Sequence, residues 1–318
     1  MKERQIEFYS EGILLSAVYR VPSGMKRRAR WPGIVCCHGY SGNKDIHTAK
    51  AAIALSRAGY VTLCFDHRGF GKSAGTPGRM IPMEQVNDIR DALTYLGAQA
   101  EVDPELLGLW GQSWGGANVT HVAAIDPRVK CTVSLSGIGD GERWLRSIRN
   151  YAQWRAFLKR VETDRVQRVR TGKSEEVDLF EIMAPDPATE QYYNAARSKH
   201  PKWVWQRPLE TADATMSFKP VELAHRIAPR AIMFMHTEGD YLVPMEESIS
   251  MYDAALEPKR LRIFRGVSHQ DAYHEPVHGQ IMAEAIAWYK HHLSRDERLR
   301  TICRRSAGSS VERAPTDR

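Results

Sequence analysis

The first 21 residues alternate polar and apolar positions, with Ile6 and Phe8 followed by Ile13, Leu15 and Val18. A period of two predicts a pair of antiparallel strands, joined by a turn at Ser10-Glu11-Gly12. A basic loop then leads to Gly33-Ile34-Val35-Cys36-Cys37, a short unbroken apolar run of the kind that forms a strand buried on both faces. From there helical and strand-like patterns take turns. Helical Thr48–Ala58 precedes strand-like Tyr60–Phe65, and helical Met83–Leu96 precedes strand-like Leu106–Trp110. After a glycine-rich turn, a helix through about Ala124 is followed by strand-like Val129–Leu135. The same rhythm resumes with Ala231–Met235, a helix over Glu246–Leu256, strand-like Arg262–Phe264 and a last helix ending near Leu293. Such alternation predicts a mostly parallel sheet with helices on both faces.

Between about Gly141 and Pro220 the rhythm breaks. Amphipathic helical segments carry Trp144, Trp154, Tyr192, Tyr193, Trp203 and Trp205 among dense Arg, Lys and Glu, punctuated by prolines. This stretch is expected to be a helical cap inserted into the sheet domain. The organisation that follows is a core over 1–140, a cap over 141–220, the rest of the core over 221–293, and a polar, disordered tail over 294–318.

At 318 residues, with 42% hydrophobic and 26% charged residues, the chain is long enough for one large α/β domain with an insertion. No apolar run reaches the length of a transmembrane helix, and Met-Lys-Glu-Arg-Gln-Ile-Glu lacks the apolar core of a secretory signal, so a soluble cytoplasmic protein without membrane contact is expected. The net charge of +7 raises the question of nucleic-acid binding. Its basic residues are scattered, with local excesses at 26–30, 143–170 and after 295, and no zinc-finger or RNA-binding signature accompanies them. A solvated basic surface is the expectation, and no nucleic-acid partner. Five cysteines form no CxxC pair, and Cys36, Cys37, Cys64 and Cys131 lie in strand-like runs where a free thiol acts as a small hydrophobe. No His/Cys/Asp cluster has zinc spacing, so neither metal nor cofactor is expected. The oligomeric state is open, a homodimer being compatible with the sequence.

Chemistry concentrates at Leu106–Gly116, where an apolar strand runs into Gly111-Gln112-Ser113-Trp114-Gly115-Gly116. Gly-x-Ser-x-Gly at a strand-to-helix turn holds a serine in a strained conformation with its hydroxyl exposed. A serine hydroxyl needs a base, and the base needs an orienting carboxylate. Asp240 follows the strand 231–235 and a glycine, whereas Asp140, the alternative, follows the strand next after the serine. Asp240 is the expected acid. In the loop after the last strand His269 is the expected base, ahead of His274 and His278; His291 and His292 lie at the end of the final helix, where a solvated or capping role is expected. Oxyanion donors are expected from the backbone N–H of Trp114 and from that of Tyr40 in the glycine-bearing loop Cys37-His38-Gly39-Tyr40-Ser41-Gly42, with His38 bracing that loop. In Asp66-His67-Arg68-Gly69-Phe70-Gly71-Lys72-Ser73 the glycine spacing fits no phosphate-binding motif, and Asp66 and Arg68 are expected to pair with each other to hold the turn.

With these residues in place, the chain resembles the α/β-hydrolase superfamily over about residues 3–293, the cap excepted. The resemblance rests on His38-Gly39-Tyr40, Asp66-x-Arg68-Gly69-x-Gly71-x-Ser73, the Ser113 turn, Gly239-Asp240 and the late His269. The core is similar to dienelactone hydrolases and acetyl-xylan esterases, to the cocaine-esterase and X-prolyl-peptidase group, and to fungal polyketide transferases. The resemblance implies an eight-stranded, mostly parallel sheet and an acyl-serine mechanism, with a carboxylic-ester hydrolase as the leading reading. Acyl transfer, C–C bond hydrolysis and amide hydrolysis use the same residues, and a non-catalytic ligand-binding protein is the reading from a different class. The cap aromatics, with Trp114, favour an apolar or aromatic acyl substrate, and nearby basic residues an acidic one. The aromatic and basic cap itself departs from these groups.

Overall fold

The structure, a computed structural model, describes residues 1–24, 30–199 and 203–294. The basic residues 26–29, Cys303 and all but the first residue of the expected disordered tail lie outside the described residues. An opening hairpin pairs β1 (Lys2–Ser10) with β2 (Ile13–Val21) antiparallel, from Lys2↔Val21 to Ser10↔Ile13. Its two-residue turn has φ +48° at Glu11 and +82° at Gly12, the left-handed pair that matches the twist of the strands. Then come β3 (Trp31–Cys37), α1 (His47–Arg57), β4 (Val61–Phe65), α2 (Pro82–Gly97), β5 (Val102–Gln112), α3 (Trp114–Ile125) and β6 (Val129–Leu135). The sheet is completed by β9 (Ala231–Thr237), α9 (Glu246–Ala254), β10 (Lys259–Phe264) and α10 (Val277–His292), after the insertion described below. The strand order is β1-β2-β4-β3-β5-β6-β9-β10, parallel throughout from β4 to β10. This is the α/β-hydrolase fold.

The unbroken apolar runs of the central strands feed two cores. Along β3, Val35 and Cys37 face one side, with Ile89 and Leu93 of α2 and Val119 and Val122 of α3. Ile34 and Cys36 face the other, with Leu55 of α1 and Ile281 and Tyr289 of α10. Alternation persists inside the run, but both faces are covered, so neither set is polar. The edge strands β1 and β10 retain exposed polar positions instead. Cys36, Cys37, Cys64 and Cys131 are all buried, and burial pushes their thiols above the usual range.

Between the neighbouring strands β6 and β9 the chain makes its excursion. It contains α4 (Gly141–Ser147), α5 (Tyr151–Thr171), β7 (Glu176–Asp178), α6 (Leu179–Ile182), α7 (Pro187–Lys199), β8 (Gln206–Pro208) and α8 (Glu210–Met216), closed by a 3₁₀ turn at Pro220–Ile227. The segment is mainly helical as the pattern indicated, with one addition: β7 and β8 form a two-stranded antiparallel sheet. Three-residue strands are too short to leave a readable period. Several of its basic residues are paired inside the segment. Arg160 meets Glu175 and Glu181, Arg165 and Arg168 share Asp213, Arg168 also holds Asp164, and Arg197 meets Asp178. Among the described residues no helix is long and apolar enough to cross a membrane.

The Asp66–Arg68 pair expected from the sequence does not form. Asp66 turns inward to the buried Lys44, whose Nζ lies 3.0 Å from Oδ2, and it accepts the backbone N–H groups of Lys44 and Lys72 at 2.6 and 2.9 Å. Arg68 turns outward to Asp88, donating from Nε at 2.9 Å and Nη2 at 2.7 Å. The chain turns between them, and the complementary charges come from other segments, Lys44 after β3 and Asp88 on α2. Gly71 is required by this arrangement, since a Cβ there would lie 2.2 Å from the Asp66 carboxylate. The Lys44–Asp66 pair therefore ties the loop after β3 to the end of β4. Lys44→Met strands a buried carboxylate and is expected to lower unfolding free energy by about 3–5 kcal/mol, read from urea denaturation, with Lys44→Met/Asp66→Asn recovering much of the loss.

Candidate active site

All the candidate groups sit beyond the carboxyl ends of parallel strands, where an open α/β sheet leaves its crevice. Ser113 lies between the end of β5 and the start of α3, at φ +54° and ψ −125°. A non-glycine residue held there costs on the order of 1–3 kcal/mol and persists only if its surroundings over-determine it. They do. A Cβ on Gly111 would lie 2.2 Å from the Gly115 carbonyl oxygen, and one on Gly115 would lie 2.5 Å from that of Cys37. The glycines let three backbone segments meet behind the serine, and the Ser113 N–H is tied to the Leu135 carbonyl at 2.7 Å.

Asp240 and His269 come from the loops after β9 and β10, adjacent strands in the sheet. His269 Nδ1 is 2.5 Å from Asp240 Oδ2. The other carboxylate oxygen accepts the Val243 N–H at 2.7 Å, and Thr237 Oγ1 lies 3.5 Å from Oδ2. Burial alone would raise the Asp240 pKa. The charge of His269, with hydrogen bonds from His236 and His269, outweighs it and holds the carboxyl well below the usual range. His236, buried and anchored to Ser248 Oγ and the Val243 carbonyl, stands 3.5 Å from the same oxygen. The remaining candidates have other tasks. Asp140 caps α4 by accepting the N–H groups of Glu142 and Arg143, and His278 pairs with Glu275 at 3.5 Å.

The loop after β3 lies against Ser113. A Cβ on Gly39 would be 3.1 Å from Ser113 Cβ and 3.6 Å from its Oγ. Among the described residues neither the Tyr40 nor the Trp114 backbone N–H meets an acceptor. The Tyr40 ring packs edge-on between Trp114 and Trp144, at 5.8 and 5.6 Å. His38 braces the loop from within, its Nδ1 2.8 Å from the Gly39 carbonyl and its Nε2 accepting the His67 N–H at 3.2 Å. Burial pushes its pKa down to about 3, so the ring is neutral, with the proton on Nδ1 as these partners require.

Ser113 and His269 line one cavity of about 40 Å³, with Gly39, Tyr40, His47 and Tyr273 from the core and Tyr192, Tyr193 and Trp203 from the insertion. Of the aromatic residues in the insertion, only these three reach it. Trp144 donates its indole N–H to the Leu242 carbonyl, and Trp114 donates its own to Gln85, so both indoles belong to the packing and not to the cavity wall. The insertion is stitched to the core beside Ser113 by Tyr193 with Ser41 Oγ (3.3 Å) and Tyr192 with His47 Nε2 (2.6 Å).

Sequence reasoning missed His47, Tyr192 and Tyr273 as a set, and His236. The one usable signal was the i, i+4 spacing of His269 and Tyr273 in a short turn. The structure places the Tyr273 hydroxyl 3.1 Å from His269 Nε2, and among the described residues the Ser113 hydroxyl has no hydrogen-bond partner. Nor do the described residues contain a group of three or more His, Cys, Asp or Glu arranged to hold a metal ion. The constellation has the parts of nucleophilic acyl chemistry: a cavity-lining hydroxyl on a strained turn, an imidazole oriented by a buried carboxylate, and backbone N–H groups without acceptors in the neighbouring residues.

The chain is similar to several known proteins. The "Uncharacterized 31.7 kDa protein in traX-finO intergenic region" of Escherichia coli is 31% identical over 285 residues, 89% of this chain and 97% of its own. "Thiohydrolase aneE" of Aspergillus aculeatus is 25% identical over 308 residues, covering 90% of this chain and 91% of its own. Among solved structures, "Alpha/beta hydrolase GrgF" from Penicillium sp. sh18 superposes with a TM-score of 0.78 at 22% identity, covering 92% of this chain and 99% of that one. Residues 32–276 match the pattern of the serine aminopeptidase S33 family, and the chain belongs to that family of α/β-hydrolases.

Proposed function

We propose that the chain is a serine hydrolase that cleaves a carboxylic ester, or a related acyl bond such as a thioester, of a small molecule through an acyl-serine intermediate. The observation that carries this reading is the 2.5 Å bond between Asp240 and His269, in a cavity that also receives the strained Ser113. His269 Nε2 takes the Ser113 proton as Oγ attacks the carbonyl carbon. The resulting oxyanion is held by the N–H groups of Tyr40 and Trp114. The tetrahedral adduct collapses with expulsion of the alcohol or thiol, which leaves with the proton from His269. Water, deprotonated by the same nitrogen, then releases the acid from Ser113. Asp240 keeps the proton of the neutral ring on Nδ1 and stabilises the imidazolium. The acyl group we expect is apolar or aromatic, on the strength of Tyr192, Tyr193 and Trp203 in the cavity wall. An acidic substrate has less support, because among the described residues no arginine or lysine lines the cavity, although the half-buried Arg149 and the buried Arg207 lie near Tyr40.

A second reading is acyl transfer to an acceptor other than water. It is favoured by the small size of the cavity, which limits water around the acyl group, and by the relative "Acyltransferase drtE" of Aspergillus calidoustus, 27% identical over 279 residues. Product analysis with and without an added alcohol separates the two. Acid alone supports hydrolysis, and a new ester that grows with alcohol concentration supports transfer.

Three outcomes are expected from variants. Ser113→Ala abolishes covalent labelling by a fluorophosphonate and lowers kcat by more than about 10⁴-fold; an enzyme still labelled or active excludes the serine mechanism. Asp240→Asn retains the fold by circular dichroism while kcat falls by about 10³–10⁴-fold. Gly39→Ala pushes a methyl against Ser113 Cβ and is expected to cost about 10–100-fold in kcat/KM with little change in melting temperature.

A further inference from the structure

One contact in the site runs against the proposed reaction. Because Nδ1 of His269 carries the proton shared with Asp240, its Nε2 has a single lone pair to offer, and in this structure the Tyr273 hydroxyl stands 3.1 Å from it. Burial pushes the Tyr273 phenol well above its ordinary pKa, so the group remains a donor at any working pH. A lone pair filled by one hydroxyl cannot accept a proton from another. Ser113, correspondingly, has no hydrogen-bond partner for its own hydroxyl among the described residues.

Tyr273 is held in that position from several sides. Its ring stands edge-on to His269 at 5.6 Å and stacks on His47 at 4.3 Å with an interplanar angle of 20°. Its carbonyl accepts Lys50 Nζ at 2.8 Å, and its N–H reaches the Gln270 carbonyl at 3.1 Å. His47 in turn has its Nε2 2.6 Å from the Tyr192 hydroxyl, on α7 of the insertion. Burial lowers the His47 pKa to about 3, so this ring is neutral and presents one acceptor and one donor nitrogen. A continuous path thus runs from the insertion to the base: Tyr192, His47, Tyr273, His269. All four residues line the cavity. At about 40 Å³ the cavity is smaller than the roughly 300 Å³ of an ordinary ligand pocket, so a bulky acyl group in it would press on these walls.

We propose that Tyr273 is a positioning residue of the base: through this contact it holds the acceptor nitrogen of His269 away from Ser113, and substrate binding beneath the insertion releases it by displacing Tyr192 from His47. This rests on the serine-hydrolase reading above. Arming the base then becomes part of substrate binding, and the empty enzyme is a poor nucleophile toward small electrophiles that slip in without moving the walls.

The test compares labelling rates of the full chain with a small alkyl fluorophosphonate. Loss of one competing hydrogen bond in Tyr273→Phe is expected to raise the second-order labelling rate by about five- to tenfold, and Tyr192→Phe to raise it by about twofold. For a bulky aryl ester Tyr273→Phe lowers KM, because binding no longer has to break the contact. A purely structural tyrosine gives the opposite result, a slower reaction with both substrates. Labelling of Tyr273→Phe at or below the wild-type rate overturns the proposal. If that variant does not fold, as judged by near-ultraviolet circular dichroism, Tyr192→Phe decides: acceleration supports the path and an unchanged or slower rate overturns it. Wild-type protein that is not labelled, or Ser113→Ala that is, removes the hydrolase reading and this inference with it. Normal wild-type labelling without acceleration in the variants removes only the role of Tyr273.

Discussion

The close approach of three backbone segments behind Ser113 is the constraint on which the site depends. The end of β3, the end of β5 and the first turn of α3 meet at distances that exclude a side chain at Gly111 or Gly115. Held this way, Ser113 keeps its φ of +54° although an unconstrained serine would relax to the α or β region. The same contact fixes everything in front of the serine. The Cys37 and His38 carbonyls pack against Gly115, so the chain leaves β3 with Gly39 against the serine side chain. Strain at one residue and alignment of the neighbouring loop have one cause.

Supporting that geometry requires polar groups where the fold is otherwise apolar. Lys44 and Asp66 are both fully buried, and their pairing anchors the far end of the loop that begins at His38. Asp88 does comparable work on the other side, accepting the backbone N–H and the guanidinium of Arg68. Burial would raise its pKa, but His67 and Arg68 more than compensate and hold it below the usual carboxylate range. Buried ionic groups contribute little net stability against apolar replacements, but each becomes costly when its partner is removed. Their value in this fold is positional: they hold the irregular loops at the tips of β3 and β4, where no ladder hydrogen bonds are available.

The insertion sits across this site with part of its charge neutralised by its neighbours. Arg160, Arg165, Arg168 and Arg197 meet carboxylates of the same segment, and Arg143 reaches Glu247 on α9. The half-buried Arg149 and the buried Arg207 lie near Tyr40 and donate to backbone carbonyls, and among the described residues no arginine or lysine lines the cavity. What reaches the cavity is aromatic and hydroxylic, Tyr192, Tyr193 and Trp203, with the two tyrosines bonded to core residues His47 and Ser41. Charge counting along the chain points to a different wall from the one the packing builds.

By itself, the sequence determined the layered α/β architecture and the points along the chain where chemistry can sit. Both are local signals. Hydrophobic period distinguishes Gly33–Cys37 from Met83–Leu96, and a glycine beside a strand end marks Ser113, Asp240 and the loop holding Tyr40. Partners were another matter. Asp66 and Arg68 are near neighbours in a motif and yet answer to Lys44 and Asp88, because the complementary charges arrive from other segments. Nothing in the sequence joins His47, Tyr192 and Tyr273, since what brings them together is a meeting of α1, the insertion and the loop after β10. Only the tertiary structure decides such contacts: a hydrogen bond depends on ångström distances between segments far apart in the chain, and neither composition nor period encodes those distances.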